Sequence, residues 1–415
     1  MRFLFSNPSA RRMARWLGVF LALTVATASY AATSTGPKAY IGLFKDNAVA
    51  VLDTATNQLL TTIAIPPGPH GLVMSPDGAT VYASSDGDSR VSVIDTSQDA
   101  VVASIQVGSS PHGLAMTPDG KTVLAAVFGA NAVVFIDTAT RTVQGQVLVA
   151  NPHNIAMSPD GRTAYVAAQG QDALALVILD VAARKQKGVV PLDKTPRALN
   201  FSPDGRKLYF TLAGADAVQV LDVATNKIAR QVPVGASPHH PLFSADGRRA
   251  LVVSQGPGTV SLIDPARDTV SGTAKVGKLP HWIAMTDGGR TAYVTNEGSN
   301  DVSVVDLSTM TVSATVPIGN APRKIVVQPA AATQTTISGF AFERTVTVAA
   351  GQTVTWTNAD SVPHTVTSDT LLWDSGDIDS GTSFSYTFLT PGTYAYHCSM
   401  HPSMHGSVVV TAAGL

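Results

Sequence analysis

An apolar residue followed by Asp recurs along the middle of the chain, at Asp53, Asp95, Asp137, Asp180, Asp222, Asp264 and Asp306, each 42 or 43 residues after the one before. A second marker keeps the same step: Pro69, Pro111, Pro152, Pro196, Pro238, Pro280 and Pro322 each open an apolar stretch such as Gly113-Leu114-Ala115-Met116. Turn pairs follow at Asp77-Gly78, Asp119-Gly120, Asp160-Gly161, Asp204-Gly205 and Asp246-Gly247. A period of ~40–45 residues holding four short strands is that of a propeller blade, and the ~3.6-residue apolar period of a helical repeat is absent. Seven blades are predicted. The first unit starts at Ala39-Tyr40-Ile41 without an inward strand, and the last inward strand, residues 323–327, has no strands after it. Pairing these two ends closes the ring and leaves no open sheet edge.

Arg2, Arg11, Arg12 and Arg15 precede an apolar run over residues 16–26 and then Ser29-Tyr30-Ala31, the pattern of a secretory signal peptide. No later run approaches the ~18 apolar residues of a membrane helix, so a periplasmic or secreted chain without membrane insertion is expected. The 28 basic and 29 acidic residues nearly cancel, which gives no electrostatic case for nucleic acid. The expected layout is all-β: a leader over 1–31, a propeller over 32–330, a link over 331–336, and a small antiparallel sandwich over 337–415 whose strands alternate, as in Phe384-Ser385-Tyr386-Thr387-Phe388.

The chain has one cysteine, Cys398, so no disulfide can form within it, and the neighbours of that thiol decide its role. Cys398-Ser-Met-His401-Pro-Ser-Met404 places a thiolate, an imidazole and a thioether on one short loop, and His364 supplies a second imidazole from a distant one. Two His, one Cys and a weak axial Met make a blue-copper set, because thiolate and thioether favour the cuprous ion while imidazole suits both oxidation states. The alternative for such residues is a buried free thiol with core histidines. His397 is expected to point away from the site by strand alternation.

The repeat units, with Tyr165-Val166 and Tyr293-Val294-Thr295-Asn296, resemble the YVTN-type β-propeller family. Gly351-Gln-Thr-Val-Thr-Trp-Thr-Asn358, Val362-Pro-His364-Thr and Tyr394-Ala-Tyr-His-Cys398 resemble the amicyanin and plastocyanin cupredoxins, and the short Cys-x2-His-x2-Met loop is similar to that of amicyanin. The resemblance implies a Greek-key sandwich, one type 1 copper held by His364, Cys398, His401 and Met404, and electron exchange with a redox partner at the exposed edge of His401, flanked by Met400 and Pro402. His405 departs from the pattern, standing where a basic residue is common.

The six propeller histidines, His70, His112, His153, His239, His240 and His281, cluster at one place in the repeat, with Arg197 and Arg323 at the two remaining equivalent positions. These positions form a ring at the channel mouth, which reads either as a second metal or anionic-substrate site or as the product of duplication, each His serving a local hydrogen bond. The domain order resembles nitrous oxide reductase, but the single cysteine excludes the two bridging cysteines of that enzyme's binuclear copper. Three functions follow as expectations: electron transfer, a copper-dependent oxidoreductase, or metal storage and delivery. The pair Asp86-Gly-Asp88 reads as a solvated turn.

Overall fold

The computed structural model describes residues 36–411 except 172, 287, 288, 331, 350, 351, 389 and 390, so the leader expected over 1–31 lies outside the described residues. Seven four-stranded antiparallel sheets follow one another. The first is closed by the end of the chain's repeat region: Pro322–Val327 pairs with Lys38–Leu43, which pairs with Ala48–Asp53 and then Gln58–Ala64. The seam between the two ends is therefore a normal strand pair, as the truncated first and last units require. A short 3-10 turn at Phe128–Ala130 is the sole helical element among the described residues.

The repeated residues explain the repeated geometry. The marker Asp ends the third strand of each blade and its Oδ1 accepts backbone N–H groups two or three residues on, as Asp53 does from Ala55 and Thr56 and Asp306 from Ser308 and Thr309. In the Pro-Asp-Gly turns, Ser75 Oγ donates to Asp77 Oδ1, which also accepts the Ala79 N–H, and Gly78 takes φ 70°, a left-handed conformation that glycine adopts without strain. The second strand of each blade is buried on both faces and reads as continuous apolar residues, as in Thr163–Gln169 and Thr291–Asn296. The fourth strand is largely exposed.

Blades are also tied to each other by polar groups. Tyr40 Oη donates to Asp99 Oδ1 at 2.6 Å, beside the Lys38–Asp99 ion pair at 2.8 Å, and Tyr209 repeats the contact with Asp268. Between the last sheet and the first, Tyr293 Oη donates to Asn57 Oδ1 at 2.8 Å, with the Thr54 carbonyl 2.9 Å away.

The remaining strands form two facing sheets. One holds Thr333–Ile337, Gln352–Asn358 and Ser383–Phe388; the other holds Thr345–Ala349, His405–Thr411, Gly392–His397 and Thr367–Ser368. Two findings differ from the sequence reading. The sandwich begins at Thr333, inside the stretch read as a link over 331–336, because the polar Thr-Gln-Thr-Thr segment pairs in register with Gln352–Asn358. The sheets are also mixed, not purely antiparallel: that pair is parallel, and so is Thr345–Ala349 with His405–Thr411. The chain crosses from one sheet to the other between these strands, which makes neighbours of strands not joined by a hairpin. Trp356, Tyr396, Phe388, Val354 and Val408 fill the space between the sheets, and Trp356 Nε1 donates to Tyr396 Oη at 3.0 Å.

Candidate metal centres

At the end of the sandwich, three side chains foreseen from sequence converge. Cys398 and His364 are fully buried, and His401 is half-buried on the loop between Gly392–His397 and His405–Thr411. The Cys398 Sγ lies 3.9 Å from His364 Nδ1 and 3.5 Å from His401 Nδ1. Met404, 2 % exposed, packs in the same apolar cluster as Cys398. The loop is wound tightly by its own backbone: His401 N–H donates to the Cys398 carbonyl, Met404 N–H to the His401 carbonyl, and Cys398 N–H to the Met404 carbonyl.

Three features around this set were not read as part of it in the sequence. Asp360, four residues before His364, places Oδ2 3.0 Å from His364 Nε2, which leaves Nδ1 facing the sulfur. Its carboxylate also accepts the N–H groups of Phe340 and Gly339, and these backbone bonds, with a smaller contribution from His364, hold it below the usual carboxylate range. The Thr365 N–H points at Cys398 Sγ, 3.3 Å away. Phe340, 53 % exposed and at φ 57°, stands edge-on to both His364 and His401. Asn358 fixes the loop that carries His364, with Nδ2 donating to the carbonyls of Val362 and Ile378.

The donors fit copper. Two imidazole nitrogens and a buried sulfur face one point, each imidazole presenting Nδ1, with a thioether alongside and a carboxylate fixing one ring's tautomer. His397 is directed elsewhere, its Nδ1 2.6 Å from Asp369 Oδ1. His405 is exposed across the strand pair from it. Met400 and Pro402 are exposed beside His401.

In the propeller, the seven equivalent positions fall on the innermost strands, but the structure divides the histidines. His70, His112 and His153 bring one ring nitrogen each within 4.8 Å of one another. His239 and His281 pair separately, ring centroids 4.1 Å apart, and His240 stacks on Trp282 at 3.6 Å. Arg323 is engaged by Glu297 at 2.9 and 3.1 Å and lies over Phe44, while Arg197 donates to Ser237 and Gln255. Burial pushes every ring imidazole down: His153 to about 4, His239 to about 3, His70 and His281 well below their ordinary value. Burial therefore favours the neutral form of the ring's imidazoles, and the positive charge beside them comes from Arg197, Arg323 and Lys324.

Comparison with known proteins agrees with both halves. The chain matches the family described as YNCE-like beta-propeller over residues 88–371. It is 38 % identical over 88 residues to Amicyanin-alpha of Methylorubrum extorquens, a match that covers 20 % of this chain and 74 % of that protein. It is also 38 % identical over 68 residues to amicyanin of Paracoccus denitrificans, covering 15 % of this chain and 52 % of that one. Among solved structures, hydrazine synthase of Kuenenia stuttgartiensis is similar with a TM-score of 0.61 at 20 % identity, over 65 % of this chain and 92 % of that one, a likeness of fold alone. The chain belongs to the YNCE-like beta-propeller family and carries, after its propeller, a cupredoxin of the amicyanin family.

Proposed function

We propose that this is an exported protein that carries single electrons through one copper ion held by His364, Cys398, His401 and Met404, and passes them to a redox partner at the exposed edge of His401. The observation that carries the reading is the approach of two Nδ1 atoms to one buried sulfur, at 3.9 and 3.5 Å, with Asp360 fixing the tautomer of His364. When bound, the metal supplies a one-electron couple. The protein supplies the rest. The tight loop and the Asn358 bonds hold the donors in place, so little rearrangement accompanies a change of charge. The Thr365 N–H withdraws electron density from the sulfur, and outer-shell bonds of this kind tune a metal's potential. Phe340 shields the two imidazoles while leaving His401 half-exposed, and with Met400 and Pro402 it forms the apolar rim to which a partner docks.

Export is supported by the basic and apolar pattern of residues 1–31. Among the described residues no helix is long and apolar enough to cross a membrane. The propeller, rigid through its closed seam and interblade bonds, serves as the platform of the assembly. The test is a redox titration of the full chain after loading with cupric salt. A thiolate-to-metal absorption band that bleaches on one-electron reduction, returns on oxidation and is missing from Cys398→Ser supports the reading. A chain that stays colourless, or whose colour survives Cys398→Ser, refutes it.

A further inference from the structure

The propeller has a second constellation that the cupredoxin chemistry does not use. His70 and His112 stack face to face, centroids 4.4 Å apart, and His153 stands edge-on to both at 5.3 and 5.2 Å. They come from the first residues after Pro69, Pro111 and Pro152, on three consecutive blades. The Nδ1 atoms of His70 and His112 are buried and have no hydrogen-bond partner. A buried imidazole nitrogen left bare costs the desolvation of that group, about 1–3 kcal/mol, so such atoms ordinarily have a partner. Nδ1 of His239 and His281 is bare as well, but among the described residues it is His70 and His112 that share, with His153, a group of rings bringing one nitrogen each within 4.8 Å of the others.

The surroundings hold the rings in place. Asp86 Oδ1 lies 2.9 Å from His112 Nε2, so Nδ1 of that ring is directed inward as a lone pair, the same carboxylate–histidine arrangement that Asp360 makes with His364. Phe128 stacks on the other face of His112 at 4.7 Å. Ser84 donates to the His112 carbonyl and fixes the backbone beneath the ring. His70 and His153 are half-buried at the mouth, so an ion can enter from solvent.

We propose that His70, His112 and His153 bind a mononuclear copper ion at the mouth of the propeller channel, independent of the cupredoxin site, with Asp86 as the positioning residue behind His112. Three nitrogens around one ion at about 2.0 Å stand about 3.3–3.5 Å apart, so modest ring rotations from separations of at most 4.8 Å complete the site. Neutral imidazoles suit copper and zinc alike, and at equal geometry the divalent series places copper first. Arg323 is paired with the Glu297 carboxylate, while Arg197 donates to Ser237 and Gln255 and keeps its charge.

The experiment uses the full chain, stripped with chelator, reloaded with copper alone, zinc alone or both, and assayed for metal per chain. Cys398→Ser removes the cupredoxin thiolate and is expected to keep one copper, with an electron paramagnetic resonance signal coupled to imidazole nitrogen and no thiolate band. His70→Gln/His153→Gln is expected to keep the thiolate band and lose one copper, and Asp86→Asn to weaken that copper about 10–100-fold. Because Cys398→Ser keeps His364 and His401, the copper it retains counts for the propeller only if it also survives in Cys398→Ser/His364→Gln/His401→Gln, a variant that leaves the propeller untouched and decides the matter even if the propeller histidine variant misfolds. A Cys398→Ser chain that retains no copper, or one that takes zinc in preference from the mixture, overturns the proposal. Loss of the thiolate band from the wild type would bear on the cupredoxin reading alone.

Discussion

Lys324 gives the sharpest energetic test. It is 9 % exposed, at the position after Arg323 in the innermost strand, with its ammonium 3.6 Å from the centre of the Trp282 ring. Burial pushes it from 10.5 down to about 7. A downward shift of about 3.5 units corresponds to roughly 5 kcal/mol at ~1.36 kcal/mol per unit, from which the cation–π contact returns about 0.5–2 kcal/mol. The sign follows from proton linkage: between pH 7 and 10.5 the unfolded chain binds more protons at this residue than the folded one, so its contribution to stability rises with pH. Below pH 7 the cost of burying the charge is felt in full. Replacing it by an apolar side chain of similar length, Lys324→Met, is therefore expected to stabilise the metal-free propeller by about 3–4 kcal/mol at pH 6 and by less than about 1 kcal/mol at pH 10. The assay is denaturant unfolding of wild type and variant at both pH values, following the propeller's β-sheet signal. His70, His153 and His240 face the same ammonium and are pushed down partly by it, but they titrate below this window. A variant less stable than wild type at pH 6, or a difference that does not change with pH, refutes the reasoning.

Other outcomes follow from single contacts. Tyr293→Phe removes the hydroxyl that bridges the last complete blade to Asn57 and the Thr54 carbonyl, and is expected to lower propeller stability by about 1–2 kcal/mol in thermal melts. Gly71→Ala drives a methyl into the His112 carbonyl oxygen and to 2.8 Å from Ser84 Oγ, so the inner strand must shift; a loss of about 1–3 kcal/mol is expected, with weakened copper binding at the channel mouth. Asp360→Asn is expected to lower cupredoxin copper affinity about 10–100-fold in competition with a chelator while leaving the thiolate band in place once the site is saturated.

Much of this architecture is readable in the chain because its repeats are dictated by local chemistry. The marker Asp is needed for a turn, the Pro-Asp-Gly for a left-handed glycine, and the unpaired first and last units for a closed seam, so seven blades follow from spacing. The Cys398 loop is equally legible, since three donors within seven residues leave few other uses. What was missed depends on distance in sequence or on side-chain direction. Asp86 reads as a turn residue, and only the stacking of adjacent blades brings it to His112, 26 residues on. Asp360 lies between the two motifs quoted for their resemblance, and its role emerges only when the loop brings it to His364 Nε2. The ring of equivalent positions was visible, but not that Arg197 and Arg323 are held by polar neighbours while His70, His112 and His153 turn toward one another. The strand Thr333–Ile337 was hidden because four of its residues are Thr or Gln, which look like a link until they pair.

The most direct measurement of the central claim is X-ray absorption at the copper edge on the His70→Gln/His153→Gln chain loaded with one equivalent of copper, so that the signal comes from the sandwich alone. One short sulfur scatterer with two imidazole nitrogens is expected, from Cys398, His364 and His401. A shell of nitrogen and oxygen without short sulfur would contradict it.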